Sequence, residues 1–118
     1  MATISAPIRR RPLRFNLPGA YIPSASLPRT NMYLANLAGA NCTRADFSDA
    51  RMIQANLRGT ILARANLQRV DFEGADLTGA DLRGADLTDA RNLTADQISE
   101  AIVDAETKLP RIAAAART

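Results

Sequence analysis

Histidine and tryptophan are absent from this 118-residue chain, and it holds a single cysteine, Cys42. A zinc site built from Cys and His, or a nucleophile activated by His, therefore has no material. One cysteine also excludes an intramolecular disulfide. Aromatic residues make up only 4% of the chain, no apolar run is long enough to span a membrane, and the N-terminus lacks the apolar core of a signal peptide. The composition points to a non-enzyme with no cofactor and no metal. Lysine is nearly missing too, with Lys108 alone against a large arginine complement. That usage suggests a bacterial source, and cytoplasmic residence is expected.

What is present is a repeat. Large apolar residues recur at every fifth position: Leu17, Ile22, Leu27, Met32, Leu37, Cys42, Phe47, Met52, Leu57, Leu62, Leu67, Phe72, Leu77, Leu82 and Leu87. No insertion breaks the register. Two places before these centres, eleven of fifteen residues are Ala, the others being Phe15, Thr30, Thr60 and Val70. A period of five fits neither regular structure. On a helix successive centres would lie about 140° apart and wander around the cylinder, and on a straight strand each would flip to the opposite face. The chain must turn once per pentad. A short extended stretch lets the small and the large residue point the same way, so the turns wind a solenoid around one narrow core, its coils about 4.8 Å apart.

Runs such as Ala75-Asp76-Leu77-Thr78-Gly79 and Ala80-Asp81-Leu82-Arg83-Gly84 resemble the pentapeptide repeat family. The resemblance implies an all-β solenoid, a right-handed quadrilateral β-helix with four pentads per coil and about four coils over residues 15–91. It weakens before Thr30, where Pro18, Pro23 and Pro28 follow the centres. Four pentads per coil would stack residues twenty apart, and Gly19, Gly39, Gly59 and Gly79 then form one column. Such a column suits a corner that needs positive φ or a close backbone approach. A second pair of columns, Arg29, Asp49, Arg69, Asp89 beside Asn31, Arg51, Asp71, Arg91, alternates in sign like a checkerboard. The three prolines are expected to blunt an edge coil by removing backbone donors.

The C-terminal end reads as a cap over residues 92–110, followed by a tail over 111–118. Thr94 with Gln97 forms a capping box and Leu93 with Ile98 its hydrophobic staple. From about Ala95 a helix is expected, with Ile98, Ala101, Ile102 and Ala105 lying over the core. Leu109 should tuck back onto the last coil. A homodimer through this helix, with Val103 off the capping face, or through an end coil is the alternative.

Residues 1–14 carry Arg9, Arg10, Arg11 and Arg14 with Pro7 and Pro12, which suggests a flexible basic arm. The first 30 residues are rich in Arg and Ser without an acid, as organellar transit peptides are, but the repeat register already begins at Leu17. Residues 1–45 hold six arginines and no acid, and residues 46–118 hold nine basic and twelve acidic groups. The charge is thus polarised end to end. The Asp residues before the centres, spaced one per pentad, argue for turn and surface roles and against a paired-carboxylate site.

Function then reduces to binding. The first reading is a non-catalytic scaffold or adaptor for another protein, with Tyr33, Leu34 and Ile53 as the best apolar wall patch and Tyr21 with Ile61 as a second column. Arg44 and Arg64 would stack at a corner and receive an acidic side chain, unless Asp46 neutralises them. The family supplies a second reading, since some members resemble DNA and act on gyrase, inhibiting it or protecting it from quinolones. Residues 17–91 hold eight basic and eight acidic groups, a neutral wall on a short rod, which disfavours such mimicry. Nucleic-acid or membrane tethering through the arm is the third reading, weakened because its arginines have no interleaved aromatics.

Overall fold

The computed structural model describes residues 14–111. Parallel bridges join residues twenty apart without a break, from Asn16↔Asn36 through Asn41↔Ile61 and Asn56↔Asp76 to Asp71↔Arg91. Four pentads therefore complete one circuit, and the expected stacking of equivalent positions is observed. Each bridge is a single residue wide, the one just before a centre, and the bridges do not extend into longer strands. A turn after every centre leaves no room for more.

The backbone donors of a pentad all have fixed destinations. At Leu57 the preceding residue, Asn56, donates to Ala35 C=O on the previous circuit (2.8 Å), while Leu57 and Gly59 donate to Asp76 and Thr78 C=O on the next (2.9 Å each). Thr60 N–H closes the turn onto Leu57 C=O at 3.1 Å. The fifth donor, on the residue after the centre, goes to the side chain before it: Arg58 N–H donates to Asn56 Oδ1 at 3.1 Å. Buried backbone groups demand such pairing, and this scheme recurs along the described solenoid.

The core is a column of centres flanked by alanines. From Met32 to Leu87 every centre is buried, as are Ala35, Ala40, Ala45, Ala50, Ala55 and Ala65. Cys42 sits among them, and burial pushes its thiol up to about 11, which removes the thiolate needed for reactivity. Thr60, at an alanine position, is tolerated because its hydroxyl donates to Leu37 C=O at 2.7 Å. At the N-terminal end, Phe15, Leu17, Ile22 and Leu27 are only half-buried.

The glycine column Gly19, Gly39, Gly59 and Gly79 has the positive φ expected of it, whereas the reading of the prolines needs correction. Positive φ is not confined to the glycine column: the second residue after every centre adopts it, from Gly19 to Asp89, including Leu34, Arg44, Gln54, Arg64 and Arg69. This is the third position of a tight turn that needs a left-handed residue, imposed by the fold at every corner. Close approach is not the reason for glycine either, since a Cβ at Gly19, Gly39 or Gly59 would meet nothing within 4 Å. The prolines act differently from expectation. Pro18, Pro23 and Pro28 occupy the position whose N–H serves the side-chain turn, not the ladder, so they remove no inter-coil donor. Their lack of N–H instead frees the residue before the centre from being Asn or Asp, and Tyr21 and Ser26 stand there.

The capping box is present as expected: Thr94 Oγ1 accepts from Gln97 N–H at 3.1 Å, and Gln97 Oε1 accepts from Thr94 N–H at 2.8 Å. Leu93 and Ile98 are buried. The helix, α1, spans only Ala95–Glu100, shorter than expected. Ile102 leaves it to rejoin the ladder, donating to Ala80 C=O (2.8 Å) and accepting from Leu82 N–H (2.7 Å). Pairing with an open coil edge outcompetes another helical turn. Ile102, Val103 and Ala105 are exposed in consequence, and Val103 lies beyond the helix on which dimerisation was considered. Lys108 pairs with Asp86, and Leu109 packs against the core, as expected.

Candidate functional site

Ten Asn or Asp residues immediately before centres make the same contact. Asn31, Asn36, Asn41, Asp46, Asn56, Asn66, Asp71, Asp76, Asp81 and Asp86 each accept, through Oδ1, from the N–H two residues on at 2.9–3.2 Å. These are Asx turns, and they assign the regularly spaced acids to structure. Where this position is Arg51 or Ile61, the sequence gives up that acceptor.

Several of these carboxylates sit below the ordinary range. The Ser48 N–H and hydroxyl hold Asp46 down, the Thr78 hydroxyl and N–H hold Asp76 down, and the Arg83 guanidinium holds Asp81 down. A depressed folded-state pKa contributes stability that is present above the unfolded value, about 3.9, and lost as pH falls through the folded one. Unfolding stability is therefore expected to decline below about pH 4. The triple variant Asp46→Asn, Asp76→Asn, Asp81→Asn keeps the turn acceptors without the titration. Its urea midpoint should vary less between pH 5 and pH 3 than that of the parent.

With the Asx side chains committed, the groups left to meet a partner are those just after the centres and at the corners. Tyr33 and Ile53 stack one circuit apart, and Leu34 N–H donates to Ile53 C=O at 3.0 Å, so Tyr33, Leu34 and Ile53 are brought together as the repeat implied. All three are half-buried, whereas Tyr21 is 76% exposed. Tyr21 and Ile61 lie in one column with Asn41 between them.

Arg44 and Arg64 also fall on one corner. Both are exposed, and a Cβ at Gly84 would lie 3.0 Å from Arg64 Cγ, so Arg64 leans along the corner over that glycine. Neither forms an ion pair among the described residues. Asp46, considered as the alternative that would neutralise them, is held by Ser48 and feels Arg29. The charge checkerboard is realised at one point, where Arg69 Nε and Nη2 reach both oxygens of Asp49 at 2.9 and 3.0 Å. Asp71 is buried and accepts instead from Asn92 Nδ2 at 2.9 Å. Two further surface pairs join Arg58 to Asp76 and Arg83 to Asp81.

Of the arm, Arg9, Arg10 and Arg11 lie outside the described residues, and Arg14, the first described, is exposed. Residues 112–118 of the tail also lie outside them. Among the described residues no group of acids and Cys could hold a metal ion, and no helix is long and apolar enough to cross a membrane. Sequence reasoning missed one residue of consequence: Gln97 Nε2 donates to Phe72 and Ala75 C=O at 3.0 and 2.9 Å. Its place in a capping box gave no sign that it also closes the last circuit.

Comparison with known proteins agrees with this geometry. The family profile for pentapeptide repeats matches in eight copies over residues 16–54 and 50–89. Among solved structures, the chain is similar to a pentapeptide repeat protein from the thylakoid lumen of Arabidopsis thaliana, at 30% identity and a TM-score of 0.62, covering 65% of this chain and 52% of that one. It is also similar to HetL, a pentapeptide repeat protein involved in heterocyst differentiation regulation in the cyanobacterium Nostoc, at 24% identity and a TM-score of 0.42, over 80% of this chain and 46% of that one. The chain thus spans about half the length of each. No curated protein matches it.

Proposed function

This chain belongs to the pentapeptide repeat family, whose members form right-handed quadrilateral β-helices, and from that premise we propose that it is a non-catalytic scaffold that presents its solenoid wall to another protein. The observation that carries this reading is the division of labour within the pentad. The ten Asn and Asp side chains before the centres are bound into turns, and the side chains left outward include a contiguous apolar patch, Tyr33, Leu34 and Ile53. Apolar groups clustered on a polar wall mark an interface. The exposed Arg44 and Arg64 corner supplies a cationic contact for an acidic side chain on the partner.

Quantitative affinity capture from the native host tests this reading. The double variant Tyr33→Ser, Ile53→Ser should recover at least about tenfold less of a near-stoichiometric partner, because loss of an interface anchor costs about 2 kcal/mol or more. Its melting temperature should stay within a few degrees of the parent's, since half-exposed wall residues contribute little to stability. Equal capture by parent and variant would remove this patch as the docking surface.

A further inference from the structure

Among the described residues three large apolar side chains are exposed, Tyr21, Ile102 and Val103, and one wall carries them all. Its middle column is Tyr21, Asn41, Ile61, Asp81 and Ile102, joined by successive bridges, and Val103 follows Ile102. Exposed apolar groups gathered on one face mark an interface. The corner on one side of this wall is the glycine column. A Cβ at Gly19, Gly39 or Gly59 would meet nothing within 4 Å, so glycine there keeps the rim low and the wall open to a flat surface.

The corner on the other side runs Ser24, Arg44, Arg64, Gly84 and ends at Asp104, whose Oδ1 accepts from Gly84 N–H at 3.1 Å. Glu106 N–H and the Thr107 hydroxyl donate to the same oxygen at 3.0 and 3.2 Å, which holds the acid in place. Asp104 and Glu106 are exposed, as are Arg44 and Arg64. The corner is thus basic towards its middle and acidic at its C-terminal end.

We propose that the occupant of this wall is a second copy of the chain, the two rods lying antiparallel, wall against wall. This rests on the reading of Arg44 and Arg64 as the contact for an acidic side chain, and it names the source of that acid. A two-fold axis between the walls and perpendicular to both rods sets each column against its own copy in reverse order. With Ile61 on the axis, Ile61 meets Ile61, Tyr21 meets the second copy's Ile102, and Asn41 meets Asp81. Asp81 brings no unmatched charge, since Arg83 Nε and Nη2 donate to its two oxygens at 2.9 and 2.8 Å. Arg44 then lies opposite Gly84, whose missing side chain leaves it room, one coil spacing of about 4.8 Å from the second copy's Asp104. An arginine side chain covers that distance. The middle column spans only about 19 Å, four steps of about 4.8 Å, so the interface is small and belongs to the weak, exchanging class. The Tyr33, Leu34 and Ile53 patch lies half a circuit from the Arg44 corner, so the dimer presents that patch twice.

Sedimentation velocity of the full chain, from low micromolar to millimolar protein at low salt, tests this proposal. A reversible monomer–dimer equilibrium is expected, weakened by added salt. Ile61→Arg keeps the fold, because Arg51 holds the same place in its pentad, and it sets two cations against each other on the axis. With an unchanged circular dichroism spectrum, its dimer dissociation constant should rise at least about tenfold, and Arg44→Glu should raise it too. Orientation is read with a short bifunctional thiol reagent, native Cys42 being buried. Ala63→Cys, beside the axis, should link two copies; Pro23→Cys, about 19 Å from its own copy along the rods, should not. A parent that stays monomeric at millimolar protein would overturn the proposal and leave the wall to a different acidic partner. So would an Ile61→Arg variant that associates like the parent, or linkage through Pro23→Cys in place of Ala63→Cys. Tyr33 and Ile53 lie off this wall, so capture of a partner through them would persist after such a failure, and the scaffold reading with it.

Discussion

Truncating Phe47 with Phe47→Ala is expected to cost about 3–5 kcal/mol of unfolding free energy, seen as a lower urea midpoint. The ring is fully enclosed, and the walls around it have little freedom to collapse. Its own N–H is tied to Asn66 C=O at 2.9 Å, and Leu27 N–H is tied to Asp46 C=O at 2.7 Å. Inter-coil spacing is set by these ladder bonds, not by the side chains, so the deleted volume remains as a cavity. Ile22→Ala, at the half-buried N-terminal end, should cost about 1–2 kcal/mol, because part of that side chain is already exposed. Similar losses at the two positions would show that the core is not graded from mouth to middle.

Proline substitution should be tolerated or ruinous according to its place within the pentad. Asn56→Pro removes the donor that reaches Ala35 C=O at 2.8 Å and should cost about 3 kcal/mol or more. Arg58→Pro, two residues along, removes only the donor to Asn56 Oδ1 and an exposed pair with Asp76. Its cost should stay within about 1 kcal/mol. Pro18, Pro23 and Pro28 already hold the equivalent place. Matching thermal melts for the two variants would refute the assignment of N–H groups given above.

The solenoid was legible because its signal is a count, not a propensity: fifteen centres in register and an alanine column leave one winding solution. The Asx column could be read as structural from its regular spacing alone. Corner conformation could not, because only the glycines announce positive φ, while Arg44, Leu34 and Gln54 adopt it under tertiary constraint and look ordinary in sequence. The cap was read correctly at its start, where Thr94 and Gln97 carry a local code, and wrongly at its end. There the helical spacing of Ile98, Ala101, Ile102 and Ala105 competes with an unpaired coil edge that no local pattern reveals. The wall patch was legible as a column, because Tyr33 and Ile53 are twenty apart. How far each of its side chains stands out is set by the turn that carries it.

The surface proposed for binding, with Tyr33 beside Ile53 and Arg44 beside Arg64, exists only if residues twenty apart lie side by side. The most direct measurement is crosslinking of cysteine pairs by a short bifunctional thiol reagent that bridges neighbouring coils, about 4.8 Å apart. The pair Ser48→Cys, Gln68→Cys should crosslink rapidly. The pair Ser48→Cys, Arg58→Cys, half a circuit apart on opposite walls, should not. Rapid crosslinking of the second pair, or none of the first, would contradict a twenty-residue circuit and with it the surface proposed for binding.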